Sequence, residues 1–302
     1  MKHYLYIPLM AFVLILTSCN PYGQDEYVEY YIVESYLVAN ALLPQVRLST
    51  TVPANAFYEF EDAAISDADV EIQLLESGPE SAIEQSWGYQ LDTPGIYLPE
   101  TDHNVIPGRT YKLDVTLPTT SERITSTATV PEAFEIIGEV QDSVIYQATE
   151  QLEFTLSESS YPGRQNIYVF NAVSLQPFSE NLTPFYAELL SNSDQPEEDL
   201  EEFANNSSGI INESGFEFNP DGSATVQYPW IGVAFYEDNL IVANTIDDNV
   251  YDFIRSQETQ LGGSTLSPGE IQNVIYNVEG GIGVFGALAS DTVQVYIKRP
   301  GS

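Results

Sequence analysis

The chain has 302 residues, with 45 Asp and Glu against 9 Lys and Arg, 2 His and 1 Cys, and a formal net charge of −36. That balance excludes nucleic acid and anionic lipid surfaces as partners, because binding to them rests on neutralising phosphates with basic side chains. An apolar content of 43% with 20 Tyr, 14 Phe and 2 Trp supplies enough core for a folded protein of about two domains.

Lys2 and His3 precede an apolar stretch from Tyr4 to Leu16, interrupted by Pro8 and ending at Leu16-Thr17-Ser18-Cys19. The stretch is shorter than the ~20 residues a spanning helix needs. It resembles a bacterial lipoprotein signal, whose lipobox reads leucine, two small or polar residues, then cysteine. A plain secretory peptide is the alternative. The resemblance implies that residues 1–18 are a leader and that Cys19 is lipidated on its thiol and amine, which gives stable anchoring. Cys19 is the only cysteine, so no disulfide can form. Residues 19–26 read as a polar tether, and Asp25-Glu26 is a weak version of a surface-export signal. It leaves open whether the protein faces the cell surface or the periplasm.

Residues 27–131 carry the grammar of an immunoglobulin/fibronectin-like β-sandwich. Strands are predicted over 27–38, 45–52, 68–74, 95–98, 107–117 and 124–130, rich in β-branched and aromatic residues and separated by turn-formers at sandwich spacing. Pro131 closes this domain. Residues 132–302 read as a second β-rich domain with one or two short helices. Strands are expected over 152–156, 166–173, 226–228, 231–235, 240–244, 271–278, 284–288 and 293–297. Residues 184–213 read as an acidic loop with one short helix around Glu197–Phe203. No Lys or Arg occurs between Arg164 and Arg255, so acid there has no local base. Asp247-Asp248 before Val250-Tyr251 fits a helix N-terminus.

The catalytic inventory is thin. Outside the leader only His103 remains, in a polar turn where it reads as a solvated loop residue. Thiolate chemistry is excluded by count. Paired carboxylates can hydrolyse glycosides, but among 45 acids no pair stands out, and the chain is read as non-enzymatic. Asn219, Asp221 and Ser223 space three oxygen side chains around Gly222, a partial resemblance to a calcium loop that makes Ca2+ a possible cofactor. A Pro-Asp-Gly hairpin turn explains the same residues. Gly281-x-Gly283-x-x-Gly286 has the dinucleotide spacing, yet it leads into a strand where that fingerprint should open a helix. A strand bend or close backbone approach accounts for it. Ser143 and Thr292 sit in Asp-Ser/Thr-apolar triplets that resemble O-glycosylation sites.

Asn273 to Ala287 (NVIYNVEGGIGVFGA) is similar to the C-terminal signature of the DUF4249 family of Bacteroidetes lipoproteins. Ile32-Val33-Glu34, Ser66–Ile72, Gly108–Leu113 and Val130-Pro131 resemble the family as well. The resemblance implies an outer-membrane lipoprotein, often encoded beside a TonB-dependent receptor, without an established activity and with no catalytic residues to transfer. The reading is a lipid-anchored accessory or ligand-capture subunit for a TonB-dependent transporter β-barrel. The alternative is a stand-alone surface glycan-binding or adhesive lipoprotein, with Trp87 or Trp230 stacking on sugars instead of filling the core.

Overall fold

A computed structural model describes residues 27–53, 55–261 and 274–301. The leader and Cys19 lie outside the described residues. Alternating side chains build the first strands. β1 (Tyr31–Val38) buries Val33, Ser35 and Leu37 and leaves the residues between them half-buried, the period of two expected of a strand. β2 (Val46–Thr50), a one-turn helix α1 (Phe60–Ala63), β3 (Asp69–Leu75), β4 (Ile83–Thr93), β5 (Ile96–Pro99), β6 (Thr110–Leu117) and β7 (Glu122–Thr129) follow. They pair antiparallel in the order β1-β2-β5-β4-β3-β6-β7. The narrowest junction is β2 to β5, with only Val46–Tyr97 and Arg47–Ile96 in register. β4 is absent from the sequence-based expectation: its first four residues and its last four are all exposed, and only Trp87 and Tyr89 turn inward from it.

The second half comprises β8 (Ile136–Ile137), β9 (Ser143–Ile145), β10 (Leu152–Leu156), β11 (Ile167–Ser174), α2 (Pro184–Ser191), α3 (Pro196–Phe203), β12 (Asn205–Asn212), β13 (Glu217–Phe218), β14 (Ala224–Tyr228), β15 (Glu237–Ile246), α4 (Asp248–Leu261) and β16 (Ile282–Lys298). The fold is therefore mainly β, as expected, with three α-helices among the described residues of this half where one or two were expected. The acidic loop 184–213 is corrected: it is two helices and a strand. Pro184 and Pro196 open both helices, a position where the missing N–H costs nothing. Glu197, Glu198 and Asp199 fill the first turn of α3, where the helix dipole favours acid. β12 escaped notice because it is polar and lies at the sheet's edge. Two expected strands are also corrected. Trp230–Gly232 is a 3-10 turn before β15, and residues 274–278 are irregular. The two predicted strands 284–288 and 293–297 are one strand.

That strand, β16, organises the molecule. Its first part pairs parallel with β1, from Ile32–Ile282 to Val38–Leu288, and from Leu288 onward it pairs antiparallel with β15. β15, β11 and β12 continue outward and β9 joins the far end of β16, giving a 12-stranded sheet beside a four-stranded one of order β13-β14-β10-β8. One hydrophobic cluster runs from Val33 and Leu48 through Phe154 and Phe170 to Phe285 and Ile297. Strand pairing and core thus cross the position of Pro131 without a break. A bridge between Thr125 and Glu279 links β7 to the residues entering β16, so the chain returns to the edge of the first strands.

Candidate functional site

A polar cleft of about 280 Å3 opens where β6 and β7 meet residues 277–279 and the turn at Pro79-Glu80. Strand register sets its floor. Gln73, Lys112 and Thr127 form one cross-strand row, and Glu71, Asp114 and Thr125 form the next. Residues two apart on a strand share a face, so both rows point the same way. Lys112, Thr125 and Thr127 line the cleft with Ser126, Asn277, Glu279 and Glu80.

The walls are fixed by hydrogen bonds. Asn277 donates from Nδ2 to Ser126 Oγ (2.7 Å) and to the Phe285 carbonyl (2.7 Å), and its Oδ1 accepts from Phe285 N (3.1 Å). Ser126 Oγ donates in turn to the Asn277 carbonyl (2.8 Å). The Glu279 and Thr125 backbones exchange two bonds of 2.8 and 3.0 Å. Beside the cleft Asp114 is held by the Arg123 guanidinium through Nε at 2.7 Å and through a second, shorter bond, with Lys112 Nζ at 3.9 Å. The Asp114 carboxylate beside it raises the Arg123 pKa above its ordinary value. Gln73 donates to Glu71 (3.0 Å), while its buried Oε1 accepts nothing.

Four glycines let the wall approach. A Cβ on Gly280 would lie 2.3 Å from the Arg123 carbonyl oxygen, and one on Gly286 would lie 2.3 Å from Val250 Cγ2. Gly281 and Gly283 meet the Tyr31 and Val33 carbonyls in the same way. Close approach, of backbone at Gly281 and Gly283 and of the Val250 side chain at Gly286, therefore explains the dinucleotide-like spacing, most of which lies within β16.

At the start of α4, Asp247 caps the helix. Its Oδ1 accepts from Val250 N at 2.9 Å, and its buried Oδ2 has no partner. Burial pushes its carboxyl up to about 7 against the opposing effect of the Val250 and Ala287 amides. Arg164 lies over the Tyr161 ring, bonds Asp248, and donates to the Ile246 carbonyl at 2.9 Å.

The sequence-derived candidates fall elsewhere. Asn219, Asp221 and Ser223 meet in the β13–β14 turn, but they bond one another: Asn219 Nδ2 donates to Ser223 Oγ (2.9 Å), and Ser223 Oγ and N donate to Asp221 Oδ1 (2.7 and 3.1 Å). Those bonds hold the Asp221 carboxyl below its ordinary pKa. This is the geometry of an Asx turn around Gly222, whose φ is 86°. His103 is corrected. It is half-buried, stacked on Trp87 at 3.9 Å, with Nε2 at 3.0 Å from the Tyr111 hydroxyl, and burial lowers its pKa. Trp87 itself is 4% exposed, so it offers no sugar platform. Trp230 is half-buried against Tyr146. Ser143 is half-buried and accepts from Lys298 Nζ at 2.7 Å, whereas Thr292 is exposed on β16.

The cleft residues were missed because they come from three distant segments. Asn277 and Glu279 lie inside the quoted C-terminal signature, and Lys112 is one of three lysines in the chain, which are the two signals that pointed there. Chemically the cleft offers one cation, Lys112, two carboxylates, Glu80 and Glu279, and the hydroxyls of Thr125 and Thr127, on a frame that the Asn277 amide holds rigid. That set fits a small ligand carrying both hydrogen-bond donors and acceptors.

The family model DUF4249, described as a domain of unknown function, matches residues 20–294. No curated protein matches the chain. Among solved structures, alpha-2-macroglobulin from Escherichia coli activated by trypsin shares 7% identity over 74% of this chain and 15% of its own, with a TM-score of 0.21. The same protein activated by porcine elastase gives 11%, 90%, 23% and 0.24. An I-band fragment of titin gives 11%, 91%, 68% and 0.21. The chain thus spans less than a quarter of the first two, and likeness at these TM-scores assigns neither fold nor function.

Proposed function

We propose, given that this chain belongs to the DUF4249 family, that it is a lipid-anchored outer-membrane protein that works without catalysis. It captures a small polar ligand as an accessory subunit of a TonB-dependent transporter. The observation that carries the reading is the cleft lined by Lys112, Thr125, Asn277 and Glu279, because the family-like C-terminal segment builds its wall. Ser126, the one cleft hydroxyl on the core side, is bonded on both sides by Asn277, so it is a structural group and not a nucleophile. The lipobox at Leu16–Cys19 supports the anchor.

Pull-down of the tagged chain from detergent-solubilised outer membranes tests the function. A stoichiometric β-barrel partner is expected. Retention of glycan with no protein partner would replace this reading by a stand-alone glycan-binding lipoprotein.

A further inference from the structure

We propose that the end of the molecule formed by the start of β1 and the loop after β2 lies on a neutral lipid surface, with Phe57, Tyr58, Tyr27 and Tyr30 as its contact residues. The proposal rests on the lipid-anchor reading and adds an orientation to it.

Phe57 is 87% exposed, the most exposed large hydrophobic side chain among the described residues. Tyr58 is 44%, Tyr27 45%, Val28 59% and Tyr30 50% exposed. Scattered apolar residues on a surface are ordinary; a group of them at one end is not. Hydrogen bonds gather this group. The Tyr27 hydroxyl bonds Thr51, Thr51 N donates to the Tyr30 carbonyl (2.9 Å), and Tyr30 N donates to Thr51 Oγ1 (3.0 Å). Thr51 starts the loop that carries Phe57, and the Tyr58 hydroxyl returns to Ser49 at 3.3 Å. Tyr side chains with an apolar ring and a polar tip are suited to the membrane–water interface.

The length of chain before Tyr27 selects lipid as the occupant. Cys19 precedes Tyr27 by eight residues, which span at most ~28 Å when extended. An acylated Cys19 therefore holds this end, and not the opposite one, within reach of the bilayer at high effective concentration. Charge selects the kind of lipid. Glu29, Glu59, Glu61 and Asp62 flank the aromatic group, and of the bases on the strands around it Arg47 is paired with Glu34 and stacked on Phe60 while Arg123 is paired with Asp114. With acids around it and no unpaired base nearby, the contact suits zwitterionic headgroups and is weakened by anionic ones.

The test places an indole at the tip. The acylated chain carrying Phe57→Trp is reconstituted in phosphatidylcholine vesicles with and without brominated acyl chains, the parent chain supplying the Trp87 and Trp230 background. Emission from the introduced indole is expected to fall by roughly half with brominated lipid, the depth-dependent contact of an interfacial ring, and to recover as anionic lipid is added. An acylated, vesicle-bound chain whose introduced indole is unquenched overturns the docking and leaves the anchor standing. Concentration-dependent dimers that protect the indole in detergent overturn it in favour of a second copy. Intact mass without acyl chains overturns the anchor, and this inference with it.

Discussion

Gly283 approaches β1 so closely that a Cβ built on it would stand 2.0 Å from the Val33 carbonyl oxygen, and its φ is +111°. Backbone cannot yield as a flexible side chain can, and the dihedral itself disfavours any other residue. Gly283→Ala should therefore cost more than about 3 kcal/mol, in the tail of single-substitution effects. Gly286→Ala, which meets the Val250 side chain instead, should cost less. Gly78→Ala, with nothing within 4 Å, should stay within about 0.5 kcal/mol. Urea unfolding of the three variants checks the order, and equal midpoints for Gly283→Ala and Gly78→Ala would refute the close-approach account.

Asp247 titrates at about 7 in the folded chain against an ordinary 3.8, because burial opposes its charged form. The unfolded chain releases this proton more readily, so stability from this group is greatest below pH 4. It declines as pH rises towards 7, then stays level. The difference corresponds to roughly 4 kcal/mol. Asp247→Asn keeps a helix-capping oxygen and removes the ionisation. Relative to the parent, the variant should gain stability progressively between pH 4 and 7. Melting curves that stay parallel across that range would show that Asp247 carries no such penalty.

The strands with clean alternation, such as β1 with Val33, Ser35 and Leu37 inward, were legible because one face of each is buried. What the linear pattern could not show was pairing at long range. β1 beside β16 joins residues about 250 positions apart in the chain, and no local periodicity encodes a partner. The glycines of β16 were legible as a close approach, yet which groups they approach was not. The cleft suffered the same loss, since the β6–β7 hairpin brings Lys112 and Thr125 together locally but Asn277 reaches them only through the long-range bridge between Thr125 and Glu279. The N-terminal half of β4 and the edge strand β12 were invisible for a simpler reason, having little apolar face to alternate. His103 was misread because a polar turn says nothing of the Trp87 ring that covers it.

That stacking makes Trp87 a reporter. Burial holds the His103 imidazole below its ordinary 6.5, so the folded chain prefers the neutral ring. Stability from His103 is complete above pH 6.5 and is lost as pH falls through 6.5 towards the folded value. Protonating an imidazole stacked at 3.9 Å on the indole makes it an electron acceptor and quenches emission. Fluorescence should drop with a midpoint below 6.5, and His103→Gln should abolish the transition. A midpoint at or above 6.5 would contradict the buried environment.

Asp114 and Lys112 separate the scaffold of the cleft from its ligand-facing surface. The Asp114 side chain is 10% exposed and depends on Arg123, while Lys112 stands 3.9 Å away. Arg123→Ala strips a nearly buried carboxylate of its main partner and should cost about 1–3 kcal/mol. Pairing it with Asp114→Asn should recover part of that loss, because the carboxylate left unpaired is then gone. Lys112→Met removes only the long, partly exposed contact and should cost less than about 1 kcal/mol. If the cleft is the capture site, Lys112→Met keeps the fold and abolishes ligand retention, whereas the Arg123→Ala and Asp114→Asn double variant keeps both. Chemical denaturation paired with ligand retention by the purified chains reads both quantities. Unchanged retention by a folded Lys112→Met chain would move the capture site away from this cleft.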